Sequence, residues 1–241
     1  MKRFAILVAF SCIAALSYAG DVCCPLKPDP PPAMDGNMAK WYRNPSPIVV
    51  GGDQVTFNKA KWKGEDDLSG TLWFYWDENY LYVAAEVIDD KFVQDQSGDK
   101  IWYGDHLEFF LDPKYAPNVK GHFTDEQFHI GFSPGNLSKT GDALFDIPPE
   151  VSIANPAGMS AEGIRLATVR TEKGYNLEAS IPWKLLKVKP KQGMLLGADL
   201  CISDTDNPGM QEKMTSLVPG PWACEWREHL VPMKLCDSQG K

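Results

Sequence analysis

The chain has 241 residues, 44% of them hydrophobic, enough to bury a substantial core in one large β domain or two small ones. Acidic residues (32) outnumber basic ones (24), giving a net charge of −8, and the basic stripe that phosphate binding needs is missing, so nucleic acid is not an expected partner. No apolar run after residue 19 is long enough to span a bilayer, so no membrane span is expected, and the acidity suits neutral ligands or cations.

Residues 1–19 read as a secretory signal peptide: Lys2 and Arg3 give the charged start, Phe4 to Leu16 the apolar run, and Ser17-Tyr18-Ala19 a small-x-small cleavage site. Secretion, extracellular or periplasmic, follows as the expected localisation, with a net charge of −10 once Lys2 and Arg3 are removed. Cys23, Cys24, Cys201, Cys224 and Cys236 then remain, and export favours disulfides. Their spacing fits no zinc pattern, so the expectation is two bridges with one thiol left over. Cys23 and Cys24 would tie the N-terminal arm to the segment carrying Cys224 and Cys236, with the connectivity open. The arm, residues 20–32, carries prolines at 25, 28, 30, 31 and 32, which preset an extended backbone, either a linker or a lead-in strand.

Met34-Asp35-Gly36 is a turn signal, and Met38 to Tyr42 suits one helical turn burying Trp41. From there the period is two. Ile48 to Val50 is a short apolar run. Leu72, Phe74 and Trp76 alternate with Trp73 and Tyr75, and Asp77-Glu78-Asn79 turns the chain into a strand with Leu81, Val83, Ala85 and Val87 on one face. Gln127 to Phe132, Ile164 to Arg170, Tyr175 to Ile181, Leu196 to Ile202 and Leu230 to Leu235 repeat the scheme, with Lys173-Gly174 turning one hairpin. Pro182 opens a brief helical turn through Trp183, Leu185 and Leu186. Lys184, Lys187, Lys189 and Lys191 surround that turn and read as a solvated face. The expected fold is all-β: an antiparallel β-sandwich with one or two short helical turns, occupying residues 33–236 and followed by a tail at 237–241.

Ile101 to Asp112 is the most informative stretch. Leu107, Phe109 and Leu111 form an apolar row, while Trp102, His106 and Glu108 share the other parity, an outer row that solvent alone would ordinarily explain. Asp105, Glu108, Asp112 and Glu178 are the carboxylates a glycoside hydrolase would draw on, yet no pair has a predictable separation. Gly-x-Ser-x-Gly and His-Glu-x-x-His are both absent, and the expectation is a protein that is not an enzyme. Asp89 and Asp90, with Asp95 and Asp99 in the same loop, offer hard oxygen donors suited to structural calcium, as do Asp204 and Asp206; polar turn chemistry is the plainer reading of both loops. Of 8 tryptophans, Trp102, Trp222 and Trp226 stand outside the alternating pattern, the last two within Pro219-Gly220-Pro221-Trp222-Ala223-Cys224-Glu225-Trp226. Exposed tryptophan faces stack on the C–H faces of sugar rings while nearby carboxylates accept hydroxyl hydrogen bonds.

Taken together, Met34-Asp35-Gly36, Trp76 to Ala84 with Val87 and Asp89, Trp102-Tyr103-Gly104-Asp105-His106-Leu107-Glu108 with Asp112, Leu177 to Trp183, and Gly197 to Asp206 resemble the family 9 carbohydrate-binding modules. The likeness covers nearly the whole chain after the signal. It implies a secreted, non-catalytic β-sandwich that grips a saccharide or polysaccharide between two tryptophans, within reach of a larger secreted glycan-degrading assembly. Residue by residue, it implies Trp102 and Glu108 as one wall, Trp222 or, failing that, Trp226 as the other, and His129 where such modules carry arginine. The related haem-binding sandwiches of extracellular electron-transfer proteins share the strand pattern; there Met210, Met214 and His129 would be the axial ligands. A non-sugar assembly module of a secreted complex is the third reading.

Overall fold

The computed structural model of the chain describes residues 21–136, 146–217, 219–220 and 222–241, so the expected signal peptide lies outside the described residues. In chain order the strands are β1 (Val22–Cys24), β2 (Ile48–Val50), β3 (Val55–Phe57), β4 (Leu68–Trp76), β5 (Tyr80–Asp89), β6 (His106–Asp112) and β7 (Phe128–Ser133). They continue with β8 (Glu150–Asn155), β9 (Arg165–Thr171), β10 (Gly174–Pro182), β11 (Leu195–Asp204), β12 (Lys213–Thr215) and β13 (Val231–Leu235). The larger sheet runs β1-β13-β11-β6-β7-β8, with β12 pairing to both β11 and β3, and the smaller runs β2-β4-β5-β10-β9. Every pairing is antiparallel except β1 with β13.

This is the expected sandwich, and side-chain alternation builds it. Leu107, Phe109 and Leu111 from β6 and Phe128, Ile130 and Phe132 from β7 meet Leu72, Phe74 and Trp76 of β4 and Leu81, Val83 and Ala85 of β5 between the sheets. The rings of Phe74 and Phe109 lie 6.1 Å apart across that core. Asp77 Oδ1 accepts the backbone N–H groups of Asn79 and Tyr80 and so closes the β4–β5 hairpin.

The outer face of the smaller sheet is covered too. Met38–Arg43 forms the expected turn, of the 3-10 type, and sets Trp41 among Trp73, Tyr75 and Tyr82. Glu178 on β10 fastens it, accepting from Trp41 Nε1 at 2.5 Å and from the N–H groups of Asp35 at 2.8 Å and Gly36 at 2.5 Å. Gly36 sits at φ +79°, where a Cβ would come within 2.3 Å of the Val169 side chain, so only glycine fits.

Three details differ from the sequence reading. The segment after Pro182 is a run of hydrogen-bonded turns rather than a helix, with Leu185 N–H bonded to Pro182 O and Lys187 N–H to Lys184 O. Its lysines 184, 187, 189 and 191 are all exposed. Further 3-10 turns lie at Gly52–Gln54, Lys59–Lys61, Gly98–Tyr103 and Arg227–His229. Of the two readings of the arm the lead-in strand is the one realised: β1 pairs with β13, and the expected tie to the C-terminal segment is Cys23 bridged to Cys236 across a sequence separation of 213. No second bridge forms among the described residues. Cys24 points into the core between the sheets, Cys201 lies on the outer face of the larger sheet beside Phe110 and Met214, and Cys224 is exposed, so the three thiols are kept apart.

Candidate functional site

The outer row of β6 is not solvated, contrary to the plain reading of its parity. His106, Glu108, Phe110 and Asp112 are 0%, 2%, 0% and 1% exposed. What covers them is the chain between β12 and β13: Ala223 and Leu230 are buried against Phe110, Trp222 packs on the same cluster, and Arg227 bonds Asp112 at 2.8 Å. A polar row can be buried in this way because each member finds a partner.

Trp102 is set on this face by the turn Gly98–Tyr103. Buried Gln94 donates from Nε2 to the carbonyls of Ile101 (3.2 Å) and Asp105 (2.8 Å), while Asp105 accepts the N–H groups of Val93 (2.5 Å) and Thr205 (2.7 Å). Trp102 Nε1 donates to Asp99 O, which fixes the ring edge-on to the turn. Its benzo edge lies over Gly131 of β7, where a Cβ would come within 2.8 Å of Cζ3; the missing side chain there is what lets the indole rest on the sheet.

Glu108 is the centre of the face. Oε1 lies 3.1 Å from His106 Nε2, and Oε2 accepts Trp222 Nε1–H at 3.1 Å. His106 Nδ1 faces Gly104 O at 2.7 Å, so both ring nitrogens lie beside oxygen atoms. His129 stands opposite Phe110 on β7, stacked on it with ring centroids 4.3 Å apart, and its other side meets Trp102 at 5.3 Å. The register of β7 against β8 shifts between His129 and Ile130, an irregularity of the kind that re-aims a side chain at a site. His129 Nδ1 lies 2.9 Å from Glu225 Oε1, and Nε2, buried and without a hydrogen-bond partner, is 3.8 Å from Glu108 Oε2.

The fold thus brings Trp102, Glu108, His129 and Trp222 together. Glu225 and His106, which sequence reasoning did not assign, complete the group. The hydrogen bond from His129 holds the Glu225 carboxyl below the usual range, whereas burial, followed by the charges of Glu108 and Glu225, pushes the nearby Cys224 thiol up. Trp226 goes elsewhere: its ring sits 3.7 Å from that of His122, with which it forms an isolated bridge. Met214 is buried beside Phe110 and Cys201, and Met210 is 53% exposed in the loop before β12. Two clefts, of about 350 Å³ beside Pro31 and Tyr80 and about 560 Å³ beside Trp183 and Lys187, lie away from these residues.

The remaining carboxylates act as anchors. Asp105 holds two loops, Asp112 holds Arg227, and Glu178 holds the Trp41 turn. Asp90 offers an oxygen that, with oxygens of Asp67 and Asp206, forms a group within 4.8 Å of one another. Asp89 turns the other way: Oδ1 caps Lys91 N–H and Oδ2 is buried without a partner. Lys213, fully buried, places Nζ 2.9 Å from Asp67, 3.0 Å from Asp204 and 3.2 Å from Asp206. Burial raises Asp204 to about 8 even beside that ammonium; burial, with Asp89 and Asp204 adding to it, pushes Asp105 up as well.

Known proteins repeat this arrangement of strands. Residues 34–226 match the family model described as "Carbohydrate family 9 binding domain-like". Endo-1,4-beta-xylanase A of Thermoanaerobacterium saccharolyticum is 25% identical over 188 residues, 78% of this chain, and that of Thermotoga maritima 26% over 204 residues, 81% of this chain. The chain spans only 13% and 17% of those two proteins. Among solved structures, a carbohydrate binding module family 9 from Caldicellulosiruptor kristjanssonii in complex with cellotriose is similar with a TM-score of 0.64 at 17% identity, over 90% of this chain and 94% of that one. The same module in complex with glucose gives 0.64 and 17%, over 90% and 96%. The chain belongs to the family 9 carbohydrate-binding domain-like proteins.

Proposed function

We propose that this domain is a secreted, non-catalytic module that grips a saccharide between the faces of Trp102 and Trp222, with Glu108 and His129 orienting its hydroxyls. The observation that carries the reading is the buried Glu108 carboxylate, held from one side by His106 and from the other by Trp222, with the Trp102 indole and the buried, unpartnered Nε2 of His129 beside it. Indole faces stack against the C–H faces of a sugar ring, and acceptors aimed between them read its hydroxyls. His129 Nδ1–H donates to the Glu225 carboxylate, so in the ring's neutral form Nε2 is the acceptor nitrogen.

The family and the sugars bound in its solved members support the ligand class. The signal-like residues 1–19 and the Cys23–Cys236 bridge support export. Xylanases containing a similar segment suggest that the partner is a polysaccharide under attack by a larger glycan-degrading assembly, where tethering raises the local concentration of binder. Among the described residues no helix is long and apolar enough to cross a membrane. A glycan array probed with the purified protein tests the ligand class: retention on neutral or amino-bearing glycans is expected, and silence across the array would refute the reading.

Structural calcium belongs to the same proposal. Asp67, Asp90 and Asp206 would hold it, since each offers a hard oxygen and Asp206 Oδ1 is buried with no partner. Lys63 and Lys213 neutralise only part of this carboxylate cluster. Chelation should therefore lower the melting temperature and added calcium restore it; a melting curve indifferent to both would remove calcium from the account.

A further inference from the structure

The residues around the clamp leave one polar gap without a donor. His129 Nε2 and Glu108 Oε2 face each other at 3.8 Å, too far to bond directly, and Nε2 is buried with no partner. Both are acceptors when His129 is neutral, because its Nδ1–H is taken by Glu225. Glu108 Oε2 already accepts Trp222 Nε1–H but keeps a lone pair free. A hydroxyl brings one hydrogen and serves one of the two acceptors; an ammonium brings three and serves both.

Charge points the same way. The hydrogen bond from His129 holds the Glu225 carboxyl below the usual range, and the Glu225 side chain is 39% exposed at the rim. Among the described residues no lysine or arginine bonds Glu108 or Glu225, and Arg227, the nearest arginine in the covering segment, is committed to Asp112. A cation between two indoles gains from the ring faces as well. A uronic acid would meet only like charge.

Resting on the reading that the clamp takes a saccharide, we infer that its preferred ligand is an amino sugar with a free, protonated amine, bound with the ammonium between His129 and Glu108 and facing Glu225. Isothermal titration of the intact protein with glucosamine, glucose and N-acetylglucosamine at neutral pH tests it, since acetylation keeps the nitrogen and removes the charge. Glucosamine should bind about tenfold more tightly than either, the gain of one charge-assisted hydrogen bond. In Glu225→Gln, a rim variant checked for an unchanged melting curve, the glucosamine-to-glucose ratio should fall towards one. Equal affinities for the three sugars, or a ratio that Glu225→Gln leaves intact, would overturn the inference while the saccharide reading stands. Binding of none of them, nor of their oligomers, would overturn both.

Discussion

Single residues carry opposite kinds of information in this chain. Glu178 has the sequence features of a catalytic carboxylate, yet it is fully buried and spends its oxygens on Trp41, Asp35 and Gly36. Burial pushes its carboxyl up, against the pull of those hydrogen bonds. A carboxyl raised in the folded state gives stability that is complete below its unfolded value of about 4.3 and is lost as pH rises through the folded value. Glu178→Gln should therefore flatten the fall in stability above that pH. It should also cost about 1–3 kcal/mol, because the amide nitrogen leaves one of the three donors unpaired. Urea melts at a series of pH values check both effects, and an unchanged slope would contradict the assigned role. Glu108 was legible as an outer-row carboxylate, but its burial was not, since parity says which face a side chain takes and nothing about what later covers that face. Glu225 was missed for the same reason, since it lies in a segment that folds over β6 from more than 100 residues downstream, whereas His106 bonds only its neighbours Gly104 and Glu108, contacts that parity does not reveal.

At the scale of elements, period-two alternation made the long strands legible. β4, β5, β6, β7, β10 and β11 lie where the pattern puts them, because each buries one complete row between the sheets. β3 and β12 escaped because three residues give too few alternations, and the edge strand β8 because all its side chains are only half-buried. The turn after Pro182 looked helical from its spaced leucines, but Lys187 at φ +56° ends it within a few residues. β6 divides its labour by row. Phe109, fully buried against Phe74, belongs to the core, and Phe109→Ala should cost about 3–5 kcal/mol without any specific effect on ligand. Equilibrium unfolding reads that loss, and a cost below about 1 kcal/mol would show that the core repacks around the gap.

Over the whole molecule, the two ends of the chain are held together. β1 lies beside β13 in the larger sheet, and the Cys23–Cys236 bridge closes a loop spanning almost the entire domain. A loop of that length constrains the unfolded chain strongly, so Cys236→Ser should lower stability by about 2–5 kcal/mol. The denaturation midpoint under non-reducing conditions measures it, and no change would mean that the sheet alone sets the ends. The same closure holds β13 in place, and with it the preceding segment that carries Trp222 and Glu225 over Glu108.

The clamp itself is open to one direct measurement. Calorimetric titration of the wild type and of Trp102→Ala with the tightest-binding glycan should show saturable binding in the first and at least a tenfold loss in the second, about the 1–3 kcal/mol of one stacking contact. The half-buried position of Trp102 over Gly131 predicts that the variant stays folded. Undiminished binding by folded Trp102→Ala would contradict the account.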